Sequence, residues 1–237
     1  MVQVESLERR SMLSVVLTSG VIDVVGTSGN DQVFVQLSTT GKIKVTDNGV
    51  ISKYLATDVQ KIKVQTFAGY DLVSVDESIN LPTQINTGAN GDTVLGGGGV
   101  DSVDAGEGLD RVEGRGGNDW LFGNKGMDTI LGGVGDDSIF GGNKNDDLTG
   151  GSGNDFINGG MGDDTLRGGA GDDRLEEVAG NNSISTGLGN DSVRRGQGTD
   201  ALKTDSNDRI YDFGDTTFDD HTAPRPNDDG KNDDVLA

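Results

Sequence analysis

Gly150-Gly151-Ser152-Gly153-Asn154-Asp155-Phe156-Ile157-Asn158 is followed without a break by Gly159-Gly160-Met161-Gly162-Asp163-Asp164-Thr165-Leu166-Arg167. The two nonapeptides share Gly at places two and four, Asp at place six and an aliphatic residue at place eight. Outward from here the register holds for thirteen consecutive nonapeptides, Thr87 to Lys203, with no insertion or deletion. Place eight is aliphatic every time, from Val94 and Val103 to Val193 and Leu202. Place six is Asp except at Asn182, place four is Gly except at Asn90 and Lys144, and place two is Gly except at Arg115, Asn124 and Val178. Self-similarity at a fixed period marks a repeat architecture. A solvated acidic linker has no reason to keep one aliphatic place throughout.

One aliphatic residue with a neighbour on each side makes a three-residue strand with one side chain inward. Gly at alternate loop places permits backbone conformations that a Cβ forbids, so the loop bends sharply and presents its carbonyls. If two nonapeptides make one coil, neighbouring loops lie eighteen residues apart. One edge then carries Asp92, Asp110, Asp128, Asp146, Asp164 and Asp200, interrupted by Asn182. The other carries Asp101, Asp119, Asp137, Asp155, Asp173 and Asp191. Carboxylates at a strand spacing of ~4.8 Å repel strongly unless a cation lies between them. Hard oxygen ligands in a flexible loop suit calcium better than zinc or magnesium.

Composition agrees. Hydrophobic residues are 32% of the 237, aromatics 5%, and Gly reaches 40, too little apolar surface to offset the ordering entropy of so glycine-rich a chain unaided. The formal charge of −21 makes nucleic acid or an anionic membrane a poor partner and cations a good one, and divalent ions between the loops would bring positive charge of that order. Without Cys there are no disulfides or thiolate sites, which leaves the redox compartment open. No apolar run approaches the roughly 18 residues of a membrane span. The stretch Met1 to Gly20 lacks the cationic and then apolar pattern of a standard signal peptide, which is therefore absent or already removed.

Before the repeats, Val33-Phe34-Val35-Gln36-Leu37 and Lys61-Ile62-Lys63-Val64 alternate in strand fashion, with turns at Ser19-Gly20, Gly26, Thr40-Gly41, Asn48-Gly49 and Pro82. Two isolated units, Gly26 to Phe34 and Thr66 to Ser74, repeat the nonapeptide pattern, with Asp31 and Asp71 at place six. After Thr204 the phase breaks: Asp208-Arg209-Ile210 imitates the repeat one residue early, and Tyr211 and Phe213 are candidates to cap the open end. The expected fold is all-β, a right-handed parallel β-roll (β-solenoid) of nonapeptide repeats with wider β-coils at the N-terminus. Residues 1–12 are expected to be a flexible segment, 13–86 the coils capping the solenoid, 87–204 the calcium-binding roll, and 205–237 a C-terminal cap and acidic tail. A separate β-sandwich over 13–86 is the alternative.

The segments Gly150 to Asn158 and Gly159 to Arg167 resemble the haemolysin-type calcium-binding repeat of RTX proteins. The resemblance covers about half the chain. It implies a calcium ion between neighbouring loops, held by the sixth-place Asp and by Gly carbonyls, here those of Gly133, Gly135, Gly151, Gly153, Gly160, Gly162, Gly169 and Gly171. Departures at Arg115, Asn124, Lys144, Glu177, Val178 and Asn182 put the sites at those loops in doubt. Leu7-Glu8-Arg9-Arg10-Ser11-Met12-Leu13-Ser14 resembles the LEPR-XLL segment of large bacterial surface proteins, with the Pro replaced. The acidic stretch from Asp215, with Pro224 and Pro226 and ending Val235-Leu236-Ala237, resembles the type I export signals of the RTX family.

Catalytic patterns are lacking. His221 is the only His, so neither HExxH nor a Ser-His-Asp triad is available, and no GxGxxG or EF-hand spacing occurs. Asn181-Asn182-Ser183 and Asn190-Asp191-Ser192 match the glycosylation sequon as a by-product of the repeat. The chain is read as no enzyme but as a secreted, extracellular calcium-dependent structural or adhesive module at a bacterial surface. The alternative is the carrier module of a type I exported enzyme or toxin. Places seven and nine face outward, so Trp120, Phe122, Phe140 and Phe156 gather on neighbouring rungs of one face. They are either stacked for local stability or a contact patch for a surface polymer, a second copy or a protein partner.

Overall fold

The structure is a computed structural model that describes residues 14–211. Over these residues the chain forms 22 strands and one short 3-10 turn, Ala56–Asp58, gathered into two eleven-stranded sheets. The Leu7 to Leu13 stretch, Phe213, His221 and the acidic C-terminal stretch lie outside the described residues. The fold is a β-solenoid of stacked parallel coils, the β-roll expected from the repeat.

From Val94 on, the coil is eighteen residues long: Val103 lies opposite Leu121, Leu121 opposite Ile139, and Val112 opposite Ile130. The strands run longer than the three residues the pattern suggests, six in Thr129–Val134 and Phe156–Met161. Pairing continues past the aliphatic residue because the glycines stay in register, as in Gly133 opposite Gly151. Gly151 sits at φ +125°, and a Cβ there would stand 2.2 Å from the Gly133 carbonyl oxygen. Only a residue without a side chain lets the coils close to that distance.

The N-terminal coils are wider for a visible reason. Strands β1 (Ser14–Thr18) and β2 (Val21–Val25) form an antiparallel hairpin on one sheet. On the other, β3 (Gln32–Leu37), β4 (Lys42–Asp47) and β5 (Val50–Leu55) form an antiparallel excursion before β6 (Lys61–Gln65) rejoins the first sheet beside β2. The turns are the paired residues singled out in the sequence: Ser19 and Gly20 at φ 50° and 81°, Asn48 and Gly49 at 43° and 84°. Positive φ at both positions is what a tight hairpin requires. Ile22 therefore faces Ile62 across a long coil, Val64 faces Ile85 of β8 (Thr83–Ala89) across a shorter one, and the eighteen-residue repeat follows. Strand β7 (Leu72–Val75) joins β3 to the rest of the second sheet. Because β6, β7 and β8 pair in parallel with strands of both the N-terminal region and the roll, the two sheets are continuous through it.

The core of the roll is a thin layer between the sheets, one row of aliphatic side chains from each. Every place-eight residue from Val94 to Val193 is fully buried, and Leu202 on the last full rung is half-buried. The final strand, Arg209–Tyr211, pairs with Ser192–Arg194, so the one-residue-early imitation after Thr204 still closes a coil, with Tyr211 half-buried. With one aliphatic row from each sheet, there is no further layer to fill a void. Ile139→Ala in calcium should therefore cost roughly 2–5 kcal/mol, and Leu202→Ala clearly less, read as the shift in urea midpoint by circular dichroism.

Candidate metal centre

Each sixth-place side chain turns inward at the loop and does one structural job. Its Oδ1 accepts the backbone N–H of the sixth-place residue eighteen positions earlier: Asp119 N–H donates to Asp137 at 2.8 Å, and Asp128 N–H to Asp146 at 2.8 Å. This makes two continuous ladders, one on each edge. The first begins before the repeats, where Asp31 N–H donates to Asp71 at 2.7 Å and Asp71 N–H to Asp92 at 2.8 Å. The second ends at Asp208, which accepts from Asp191 at 3.2 Å. Asn182 does not interrupt the first ladder as the sequence suggested. Its Oδ1 accepts the Asp164 N–H at 2.8 Å and its own N–H donates to Asp200 at 2.9 Å, because a carboxamide oxygen serves as well as a carboxylate one.

The other oxygen, Oδ2, is left over. In Asp92, Asp110, Asp119, Asp128, Asp137, Asp146, Asp155, Asp164, Asp173 and Asp191 it is buried with no hydrogen-bond partner. A buried carboxylate oxygen without a donor is costly. From Asp119 to Asp173 each faces a small gap left by the first-place Gly. A Cβ on Gly132 would sit 2.3 Å from Asp137 Oδ2 and 2.7 Å from the Gly150 carbonyl oxygen; on Gly150, 2.2 Å from Asp155 Oδ2 and 2.7 Å from Gly168 O. Acceptors converge there and no donor does. Among the described residues no three His, Cys, Asp or Glu side chains gather on one point, so main-chain carbonyls must complete any site. One carboxylate oxygen among several carbonyls is a donor set that fits calcium, whose coordination takes six to eight hard oxygens.

Gly133, Gly135, Gly151, Gly153, Gly160, Gly162, Gly169 and Gly171 stack coil on coil, each would-be Cβ 1.9–2.2 Å from the carbonyl oxygen of the residue eighteen earlier. The departures sort by what the backbone needs. Asn90, Arg115, Asn124 and Lys144 adopt φ between 72° and 78° where their neighbours have Gly, a strain of about 1–2 kcal/mol each. Asp101 stands apart from the other predicted ligands. Its Oδ1 accepts from Thr83 Oγ1 at 2.5 Å and its Oδ2 from Gly97 N–H at 2.7 Å. Nearby, the Arg115 guanidinium donates to the Val75 and Gly96 carbonyls at 2.9 and 3.1 Å, with Glu77 at 3.5 Å. A side-chain cation thus sits among carbonyls at this end of the ladder. Asp200, near the other end, accepts two bonds from Asn182 on its Oδ1.

Three features escape the sequence pattern. The first place is small from Thr87 to Gly168, a regularity hidden beside the Gly of place two. Asp71 carries a buried partnerless Oδ2 although it precedes the regular repeats. The fifth place builds a second, exposed ladder of opposite sense, in which Asn154 N–H donates back to Asp136 at 2.8 Å and Asp172 N–H back to Asn154 at 2.8 Å. The run of Asn and Asp at that place was the available signal.

Burial pushes the ladder carboxyls up, with facing carboxylates adding to it: Asp119 to about 8, Asp110, Asp137, Asp146 and Asp173 to about 7, and Asp92 to about 6. A group whose folded pKa is raised contributes stability that is present below its ordinary value near 4 and lost as pH rises through the folded value. In chelator, lowering the pH from 8 toward 4 should therefore increase the far-ultraviolet β-signal. Calcium added at pH 7 should release protons into a weakly buffered solution.

The family described as RTX calcium-binding nonapeptide repeat (4 copies) matches residues 84–112, 104–139, 113–146, 140–175 and 179–202. No curated protein and no solved structure matches the chain. With its eighteen-residue coils and matched repeats, the chain belongs, through residues 84–202, to the RTX calcium-binding nonapeptide repeat family, whose repeats bind calcium.

Proposed function

We propose that this calcium-binding repeat protein is a secreted structural or adhesive module at a bacterial surface, folded by the ion rather than decorated by it, with no catalytic role. The observation that carries the reading is the file of buried Oδ2 atoms without partners along both edges. The ligands in this reading are the ladder Asp residues, with carbonyls of the second- and fourth-place Gly and of the first place. Asp101 contributes least, since both of its oxygens already accept hydrogen bonds. The carboxylates that could suggest acid–base chemistry are taken up by the ladders. Extracellular modules bind calcium at ~0.1–1 mM, a concentration met outside a cell. No helix among the described residues is long and apolar enough to cross a membrane. Nucleic acid remains excluded as a partner by charge.

The aromatic strip is the surface offered to a partner. Phe122 and Phe140 stack at 4.9 Å and 7°, Phe140 and Phe156 approach at 5.5 Å, and the Arg174 guanidinium lies 5.5 Å over Phe156. Stacking accounts for these half-buried rings. Trp120 lies 6.5 Å from Phe140 and stays 53% exposed, so the strip keeps an open aromatic end suited to a sugar polymer.

In chelator the β-signal should be weak and should rise cooperatively at ~0.1–1 mM calcium; a full β-spectrum in excess chelator would remove the folding claim. Asp137→Asn keeps the ladder bond and loses the second carboxylate oxygen, so it should raise the calcium midpoint several-fold, and Asp101→Asn much less. Trp120, the sole Trp, should be quenched by acrylamide in the calcium form and protected by a polysaccharide ligand. Full shielding in the monomer would remove the patch.

A further inference from the structure

Glu177 occupies a first place, where the preceding repeats have only Gly, Ala or Thr. It is 5% exposed, and both carboxylate oxygens are buried without a hydrogen-bond partner. The loop has not left the roll to accommodate it: Glu177 N–H donates to the Arg194 carbonyl at 2.9 Å, and Ala179 bridges to Met161 and Gln197. The carboxylate instead enters the gap of the first ladder. Over Gly159, the point where a Cβ would stand is 2.6 Å from Asp164 Oδ2 and 2.6 Å from each Glu177 oxygen. In the preceding coil the corresponding gap, over Gly141, is bounded by Asp146 Oδ2 and the Gly159 carbonyl.

The same repeat carries the one lost sixth-place carboxylate. A ladder Asp performs two tasks, accepting a backbone N–H through Oδ1 and turning Oδ2 into the gap. Asn182 keeps the first task, with Asp164 N–H at 2.8 Å. It has surrendered the second, since its other atom is an amide nitrogen that donates to Asp200 Oδ1 at 3.0 Å. Glu177, five residues earlier in the same repeat, brings two carboxylate oxygens into the gap beside Asp164 Oδ2. Burial first, and then the facing carboxylates of Asp164, Asp200 and Asp146, push its carboxyl up to about 9.

We propose that the repeat 177–185 is a rewired calcium site, in which Glu177 and Asp164 carboxylates with main-chain carbonyls hold an ion that the Asn182 substitution would otherwise have cost. The inference rests on the calcium reading above and assigns a ligand outside the repeating pattern. It also makes Glu177 and Asn182 a compensating pair rather than two defects.

The test is the number of calcium ions bound by the full chain, by equilibrium dialysis with radioactive calcium at saturation, with circular dichroism confirming the fold. Glu177→Gln should bind one ion fewer than wild type. The double variant Glu177→Gly with Asn182→Asp, which restores the regular first and sixth places, should fold and return to the wild-type number. Wild-type stoichiometry and midpoint in Glu177→Gln would overturn the proposal, as would a folded double variant that binds fewer ions. If Glu177→Gln does not fold, the double variant decides alone. A wild-type chain that binds no calcium at all would instead overturn the calcium reading on which this one rests.

Discussion

Everything in this roll depends on how one carboxylate divides its two oxygens. Oδ1 is spent on the backbone of the neighbouring coil, which locks the loop and fixes the side chain. Oδ2 is thereby held, buried, at a place where no donor reaches it. The first oxygen makes the stack continuous; the second makes it incomplete. A hydrophobic core of one thin row from each sheet supplies little surplus to absorb that cost. Order and ion binding are consequently the same event in the proposed function, and neither the aliphatic file nor the ladders can be considered stable apart from the other.

Much of this was legible because the repeat unit is chemically strict. An invariant aliphatic place predicts the buried file, and an Asp every nine residues predicts the two edges, once two units are taken per coil. The turn pairs Ser19-Gly20 and Asn48-Gly49 were equally readable, since few residues tolerate positive φ in succession. The lengths of the first two coils were not. They are set by an antiparallel excursion whose strands look like any other alternating strands, and nothing in the alternation says that β4 and β5 fold back before the chain rejoins the first sheet.

The site was less legible than the fold, and for a geometric reason. A column of residues shows which types recur but not where a side chain at a given place would point. Glu177 and Asn182 consequently look like two adjacent faults, whereas in space the Glu177 carboxylate stands in the gap of the same ladder, beside Asp164 Oδ2. Arg115 reads as a missing Gly, whereas its guanidinium reaches carbonyls on two other coils. The fifth-place Asn and Asp look like surface polarity and turn out to tie exposed loops together in the direction opposite to the buried ladder.

The guanidinium of Arg115 gives the stack a polarity. At that end positive charge is covalently attached and need not be captured from solution. The antiparallel strands there also draw on a larger set of buried Val and Ile side chains, and Asp31 is satisfied by Thr27 and Asn48. In a quasi-one-dimensional array each unit is stabilised by its ordered neighbour. The coil that carries Arg115 needs less imported charge, although Asp47 and Asp71 keep unpartnered carboxylate oxygens near it, and is therefore the natural seed. Ordering would advance from it toward the C-terminal rungs one gap at a time, so a partly loaded chain would be a short roll with a loose tail rather than a full roll with scattered vacancies.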